Sequence, residues 1–558
     1  MCIHSTTTRI PLLLLLGSGS AARIGLTAQY FQVDGSDENS IKLSWPADPT
    51  VHKFSVIRQS AGTSSSVIAQ VQGNIYDDYG VPEGELTYQV LVEGDPSKVS
   101  DQFSIYDNTQ ASNLKAIANI KLESTYYHFN IENDHDGVTQ IIETTSTDGY
   151  TFSGTKRVLL TRKELCSGSP DGFCKLESAS FVQNPKNSEV VMWAHWEKGG
   201  PDYAQARVAV AWRMEFGGSF RPLENQSRDL TFFHDNDGSG YLISSTAMNT
   251  NLNIYKLTPD WHNVTSLVST VLKGQRREAP SLINHENVYY LFTSQASDWP
   301  IHFGHKPIRT MESSRNIGNL AGFGAQSGSV QKIGSSWVMC ANQWSGQWLD
   351  PEPPSHRVIL PISLSNGYAD YHYYHRLRYE AGIYGVQDGK VISVGQKCSS
   401  ASASVPGFEE SKSINGVNLD PNNFYLSATV PFSYEIEFEV ASILSRFDLT
   451  TKLVGGSETA YQFTISGRVS STSLFRVILN KSNNTRVGFI SSKVTDLTTY
   501  SAVRLDVHQV LNVHNKKQAS WAQGIGQFTV YGHHHQNSPT KSPDLKSARF
   551  SKRLLVGR

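Results

Sequence analysis

The chain has 558 residues, with Lys+Arg 49 against Asp+Glu 50. That length exceeds a single core and points to about three or four domains, and the balanced charge leaves no basic stripe for a nucleic-acid partner. Aromatic residues are plentiful (Tyr 24, Phe 24, Trp 10) and strong helical periodicity is scarce, which indicates an all-β protein.

Residues 1–22 read as a signal peptide. Met1–Arg9 carries one arginine, a short apolar run with five consecutive leucines follows, and small residues lead to Ala22. The run is too short to cross ~30 Å of hydrocarbon, so no membrane partner is expected, and the mature chain is expected to be secreted and extracellular. Four cysteines remain after Cys2. Cys166 and Cys174 flank a short loop that a disulfide could close, while Cys340 and Cys398 could pair or stay free. No metal-ligand spacing occurs, and no cofactor is expected. Asn225, Asn263, Asn480 and Asn483 head glycosylation sequons.

Residues 26–106 alternate in short strands, among them Ile41–Trp45, Phe54–Ile57 and Leu86–Val92. Turn residues divide them. The pattern resembles a fibronectin type III sandwich, with Trp45 in its core and Tyr88 on a late strand.

From 113 to 395 five hairpins can be laid over one another: 117–130, 179–196, 230–245, 280–294 and 329–342. The later ones recur about every 50 residues, with further strands such as Arg207–Trp212 and Leu252–Leu257 between them. Five such units predict a five-bladed β-propeller. The innermost strands of a propeller begin at one central channel. The residues that stand there are Glu177, Asp229, Glu278 and Gln326, three carboxylates and an amide in register. Acids so gathered suit glycoside hydrolysis, in which one protonated carboxyl donates to the leaving oxygen and a second group handles water. Neighbouring acids raise one another's pKa and arginines lower it. Glu278 is the expected donor, with Asp229 beside it. Trp193, Trp299, Trp344, Tyr126 and Arg277 are candidates to hold sugar.

The segments Ser227-Arg-Asp229 through Asp235-Asn-Asp-Gly238 to Ile243, Arg277-Glu-Ala-Pro280, Val190–His195 and Gln326-Ser resemble glycoside hydrolase family 43, and most of all its exo-β-1,3-galactanase branch, over about 113–365. The resemblance implies a five-bladed propeller, an inverting mechanism and a galactose-terminated β-1,3 chain, hence a polysaccharide or oligosaccharide as partner. By position it implies Glu278 as general acid, Asp229 as the residue that tunes it, Glu177 as a site glutamate, and Gln326 in place of the usual aspartate base. The chain departs from that branch at Ala116–Asn119, at Glu177-Ser-Ala, at Ser297-Asp-Trp299 and at Asn342-Gln-Trp344. Those departures leave two alternatives: a non-catalytic carbohydrate-binding or adhesion protein, or a family 43 hydrolase acting on arabinan or xylan.

A Ser/Ala-rich linker is expected after Cys398. Residues 405–532 then read as a second β-sandwich, with Tyr434–Val440 alternating strictly. The polar, basic 536–558 is expected to be a disordered tail.

Overall fold

The computed structural model describes the chain between residues 41 and 534, apart from internal stretches of which the longest are 45–52, 79–85, 108–118, 306–314 and 344–355. The expected leader at 1–22, the tail at 536–558, Trp45, Trp299 and Trp344 therefore lie outside the described residues. Almost every regular element is a strand. No described helix is long and apolar enough to cross a membrane.

Five antiparallel four-stranded sheets follow one another, each with its strands in sequence order. They begin at Asn119–Leu122, Cys174–Gln183, Leu230–His234, Arg277–His285 and Gln326–Ile333, and the fifth ends at Tyr368–Tyr371. Each hairpin read from the sequence supplies the first two strands of one sheet.

The sheets stack face to face because their strands are apolar on both sides. Val190–Lys198 shows this: residues 191–197 are all buried, as expected of a strand covered on both faces. Period-two alternation then divides its side chains. Met192, Ala194 and Trp196 pack with Ile131, Ile141 and Leu160 of the first sheet. Val191 and Trp193 pack with Leu230, Phe232, Tyr255 and Trp261 of the third. Further layers join the third sheet to the fourth through Ile243, Ile254, Leu282 and Leu291, and the fourth to the fifth through Phe292, Met339 and Val358. The Cys166–Cys174 disulfide forms, with an S–S distance of 2.04 Å, at the start of the second sheet. Cys340 and Cys398 do not pair.

The outer units correct two expected boundaries. Strands Arg376–Glu380 and Gly382–Val386 fall inside the expected 113–395 unit, yet they add to the sheet formed by Phe54–Ser60, Ser66–Val71, Leu86–Val92 and Phe103–Asp107. The physical reason is the open edge of Phe103–Asp107, whose unpaired backbone groups need a partner. Spacing along the chain cannot reveal that return. Likewise Lys397–Ser400 is no linker, since it pairs with Tyr434–Glu437. The C-terminal sheet thus starts at Lys390–Val391, ahead of 405. This last unit packs on the fifth sheet. Leu320 N donates to Asn418 O at 3.0 Å, and Phe323 meets Phe489 with ring centroids 5.1 Å apart.

Candidate active site

Glu177, Glu278 and Gln326 share one local geometry. Each pairs across its hairpin (with His195, Ser294 and Asn342 respectively), the register then slips, and pairing resumes three residues on at Ser180, Ser281 and Ser329. A β-bulge of this kind bends the strand and re-aims the side chain beside it. In two cases the next residue is left-handed: Ser178 has φ 51° and Ala279 φ 47°. The third bulge carries Gly328, where a Cβ would lie 2.1 Å from the Cys340 carbonyl oxygen. Asp229 stands directly before the first strand of its own sheet and pairs with Ser245.

Two of these bulges bring Glu278 and Gln326 into contact, and Asp229 reaches the backbone beside Glu278. Gln326 Nε2 donates to Glu278 Oε1 at 2.9 Å, and Asn249 Nδ2 donates to Glu278 Oε2 at 3.1 Å. Asp229 Oδ2 accepts from the backbone N–H of Ala279 at 3.1 Å, while the Ala279 carbonyl accepts from Ser327 Oγ at 2.9 Å. The left-handed alanine after Glu278 is thus clamped by the third and fifth sheets. A non-glycine residue in that region costs about 1–2 kcal/mol and persists where its surroundings over-determine it.

On the other side, Tyr203 OH donates to Glu177 Oε1 at 2.7 Å, and His195 Nδ1 lies 3.6 Å from Glu177 Oε2. His195 Nε2 is 3.0 Å from Glu197 Oε1. The loop carrying Tyr203 is tied down by Arg228, whose Nη2 donates to the Tyr203 carbonyl at 3.0 Å, and by Lys175, whose ammonium sits 3.7 Å from the Tyr203 ring centroid.

The electrostatics separate the acids. Enclosure of its carboxyl lifts Asp229 above the ordinary aspartate value. His195 opposes that lift and the negative charge of Glu177 adds to it. Burial acts to raise Glu177 too, but its contacts with His195 and Tyr203 outweigh burial and hold it below the usual range. Burial acts against the His195 imidazolium, yet Glu177 and Glu197 together hold it above the ordinary histidine value. The cluster therefore sets Asp229, biased toward its neutral form, near Glu177, biased toward its charged form, as sites for acid–base chemistry do.

The candidate sugar-holding residues fare differently. Trp193 is 0% exposed, donates from Nε1 to the Trp261 carbonyl at 3.0 Å and packs edge-on against Phe220. It is core between the second and third sheets, since alternation turns it into that interface. Arg277 is buried, and it leaves its strand on the face opposite Glu278, because consecutive strand residues alternate; burial lowers its guanidinium to about 10. Tyr126 lies in the first sheet with the Lys121 ammonium 5.0 Å from its ring centroid, and no described contact joins it to the four polar residues. The reading from sequence missed Tyr203, Asn249, His195 and Glu197. Two of these sit in loops that no periodicity marks. His195 and Glu197 form an i, i+2 polar pair within an otherwise apolar strand, a signal that was available.

No protein-family model and no curated protein matches the chain. Solved structures do match. An exo-β-1,3-galactanase from Phanerochaete chrysosporium, determined with β-1,3-galactotriose, is 20% identical, with 75% of this chain and 95% of that one covered at a TM-score of 0.48. An exo-β-1,3-galactanase from Clostridium thermocellum is 22% identical over 75% and 93% of the two chains, at 0.43. A GH43 β-1,3-galactosidase determined with galactodeoxynojirimycin is 22% identical over 47% and 94%, at 0.40. In structure the chain is similar to these family 43 proteins.

Proposed function

We propose that the chain is an exported glycoside hydrolase built on a five-bladed β-propeller, with a fibronectin-like sandwich before it and a β-sandwich after it. It removes galactose from the end of β-1,3-linked galactan, as in arabinogalactan-type polysaccharide, with inversion. The observation that carries this reading is the meeting of Glu278 with Gln326, and of Asp229 with the backbone next to Glu278, at the starts of three successive sheets. The substrate comes from the Arg277-Glu-Ala-Pro280 and Ser227-Arg-Asp229 segments and their likeness to the galactanase branch.

Glu278 protonates the glycosidic oxygen as the bond to the anomeric carbon breaks. Water attacks that carbon from the opposite face of the sugar, which inverts it. Gln326 cannot take the water's proton as a carboxylate would, because a neutral amide is a poor base; its role is to hold the water, for which it must part from Glu278 Oε1 as sugar enters between them, and the proton that the water loses passes to bulk solvent, from which Glu278 is reprotonated. Asp229 fixes the backbone of Ala279 and so the aim of Glu278, while its field sets the neighbouring charge balance. Glu177, ionised and turned inward, accepts from sugar hydroxyls.

The test is galactose release from β-1,3-galactan by the purified protein and by Glu278→Gln, with arabinan and xylan oligosaccharides alongside. Release by the native form that is lost in the variant, with α-galactose as the first anomer seen by NMR, is the expected outcome. Release from arabinan or xylan instead would reassign the sugar. Binding without release from any of them would turn the reading to a carbohydrate-binding protein.

A further inference from the structure

The strand Val190–Lys198 carries two polar side chains into an apolar interface. His195 is 2% exposed and Glu197 1%. Burying an ionisable group is costly, and a buried carboxylate is tolerated only when its oxygens are satisfied. Glu197 meets that condition. Its Oε1 accepts from Ala206 N at 2.7 Å and lies 3.0 Å from His195 Nε2, and its Oε2 accepts from Gln205 N at 2.8 Å. Ala206 is left-handed, with φ 46°, so the backbone is bent to deliver those amides.

His195 is therefore held by one nitrogen, and the other points at Glu177. That second nitrogen, Nδ1, is buried and makes no hydrogen bond; Glu177 Oε2 stands 3.6 Å away. A neutral imidazole has one donor and one acceptor, so it can serve only one of two flanking carboxylates. Only the doubly protonated ring suits both.

We propose that Glu197 and His195 are positioning residues: Glu197, locked by two backbone amides, keeps the His195 ring protonated on both nitrogens and facing Glu177, and thereby holds Glu177 ionised and aimed into the site as an acceptor for sugar hydroxyls. Glu197 also sets the second partner of Glu177, because the amides it binds belong to the loop that carries Tyr203. That loop is fixed from its far side by Arg221, whose Nε and Nη2 each donate to a loop carbonyl (Gln205 and Ala204) at 2.9 Å. The charged or titratable groups facing His195 are Glu177 from the neighbouring strand, Glu197 on its own, Tyr203 from the loop and Asp229 from the third sheet. Three are carboxyl groups, and they act together against the burial that opposes the imidazolium.

The effect of the relay on turnover rests on the hydrolase reading, but the relay itself can be read without substrate. The experiment is a pH titration of the imidazole nitrogens by NMR on the full-length protein, with the His195 signals assigned by their loss in His195→Gln. Glu197→Gln and Glu177→Gln are titrated in parallel, and kcat/KM on β-1,3-galactooligosaccharides is measured across the same pH range. In the native protein both His195 nitrogens are expected to stay protonated through neutral pH. In each variant deprotonation moves to lower pH. In Glu197→Gln kcat/KM falls by up to about a hundredfold, as misplacing a group by an ångström can do, and its alkaline limb moves down with the histidine. A single neutral tautomer of His195 at pH 6 in the native protein would overturn the relay, as would a titration that neither variant moves. Should Glu197→Gln fail to fold, Glu177→Gln decides alone, since Glu177 is partly exposed. Expected titrations with no hydrolysis by any form leave the relay standing and remove the hydrolase reading. Normal hydrolysis with an unmoved titration does the reverse.

Discussion

Gln326 Nε2 lies 2.9 Å from Glu278 Oε1, so the residue that would hold water is bonded to the residue that would give the proton, a contact that sugar has to part, since inversion sets the two groups about 6.5–9.5 Å apart. As it stands the amide donates, and so does Asn249 to the other oxygen, an arrangement suited to the carboxylate. A proton donor needs the neutral acid. Either amide can serve that form by turning through 180°, which brings its oxygen to face the single carboxyl proton while the other amide still donates to the remaining oxygen. Asn249 Oδ1 has no partner among the described residues, so the turn breaks no bond made by that atom. Glu278→Gln keeps the shape and removes the proton. It is expected to lower kcat by about 10²–10⁴ with KM little changed. Gln326→Ala is expected to cost less, because water still enters the space. Steady-state kinetics on a galactan oligosaccharide checks the order, and equal losses would contradict it.

Asp229 gives a prediction of opposite sign for stability and activity. Its carboxyl is held above the ordinary value, first by enclosure. The folded state therefore binds that proton more readily than the unfolded state. Its contribution to stability falls as pH rises from the usual aspartate value through the raised native one, and stays lower above it. Asp229→Asn removes the penalty and can still accept from the Ala279 amide. It is expected to melt about 2–4 °C higher than the native protein at pH 7. Below the ordinary aspartate range the difference should vanish, while turnover falls throughout. Calorimetric melts at the two pH values decide it.

What the sequence made legible follows from period and register. The hairpins were readable because each pairs apolar strands across a polar turn, so the 50-residue recurrence stood out. Glu177, Asp229, Glu278 and Gln326 could be picked because each stands one to three residues ahead of its hairpin. The bulges that re-aim three of them were not visible, since a one-residue slip leaves no mark in composition. Trp193 was misread because a tryptophan in a doubly buried strand looks like one at a cleft until its neighbours across the sheet stack are known. The return of 376–386 to the N-terminal sheet, and the pairing of Lys397–Ser400, depend on contacts far apart in sequence, which local pattern does not encode.

Because Trp193 is core, its truncation should act on folding. Trp193→Ala leaves a cavity among Val191, Val208 and Trp261 and strands the Trp261 carbonyl that its indole bonds. The expected cost is about 3–5 kcal/mol. Denaturant unfolding measures it. Below the transition, KM for a galactan oligosaccharide should be unchanged. A raised KM with normal stability would return the residue to the sugar site.

A buried ion pair inside the C-terminal unit borders its joint with the fifth sheet, and its two ways of failing differ. Arg446 donates to both oxygens of Asp448, from Nε at 2.9 Å and Nη2 at 2.6 Å, and lies 4.0 Å from the Tyr531 ring centroid. Both residues are buried. Asp448 also accepts from Ser491 Oγ, which lies 2.7 Å from Nε2 of His375, so the pair reaches the segment that leaves the fifth sheet. Two charges taken out of water roughly cancel their own attraction, whereas one left alone carries the whole desolvation penalty. Arg446→Met is therefore expected to destabilise by about 3–5 kcal/mol, and the double variant Arg446→Met with Asp448→Leu by much less, through partial recovery of apolar packing. A double-mutant cycle in urea tests this. Additive losses would mean that the two charges act independently of each other.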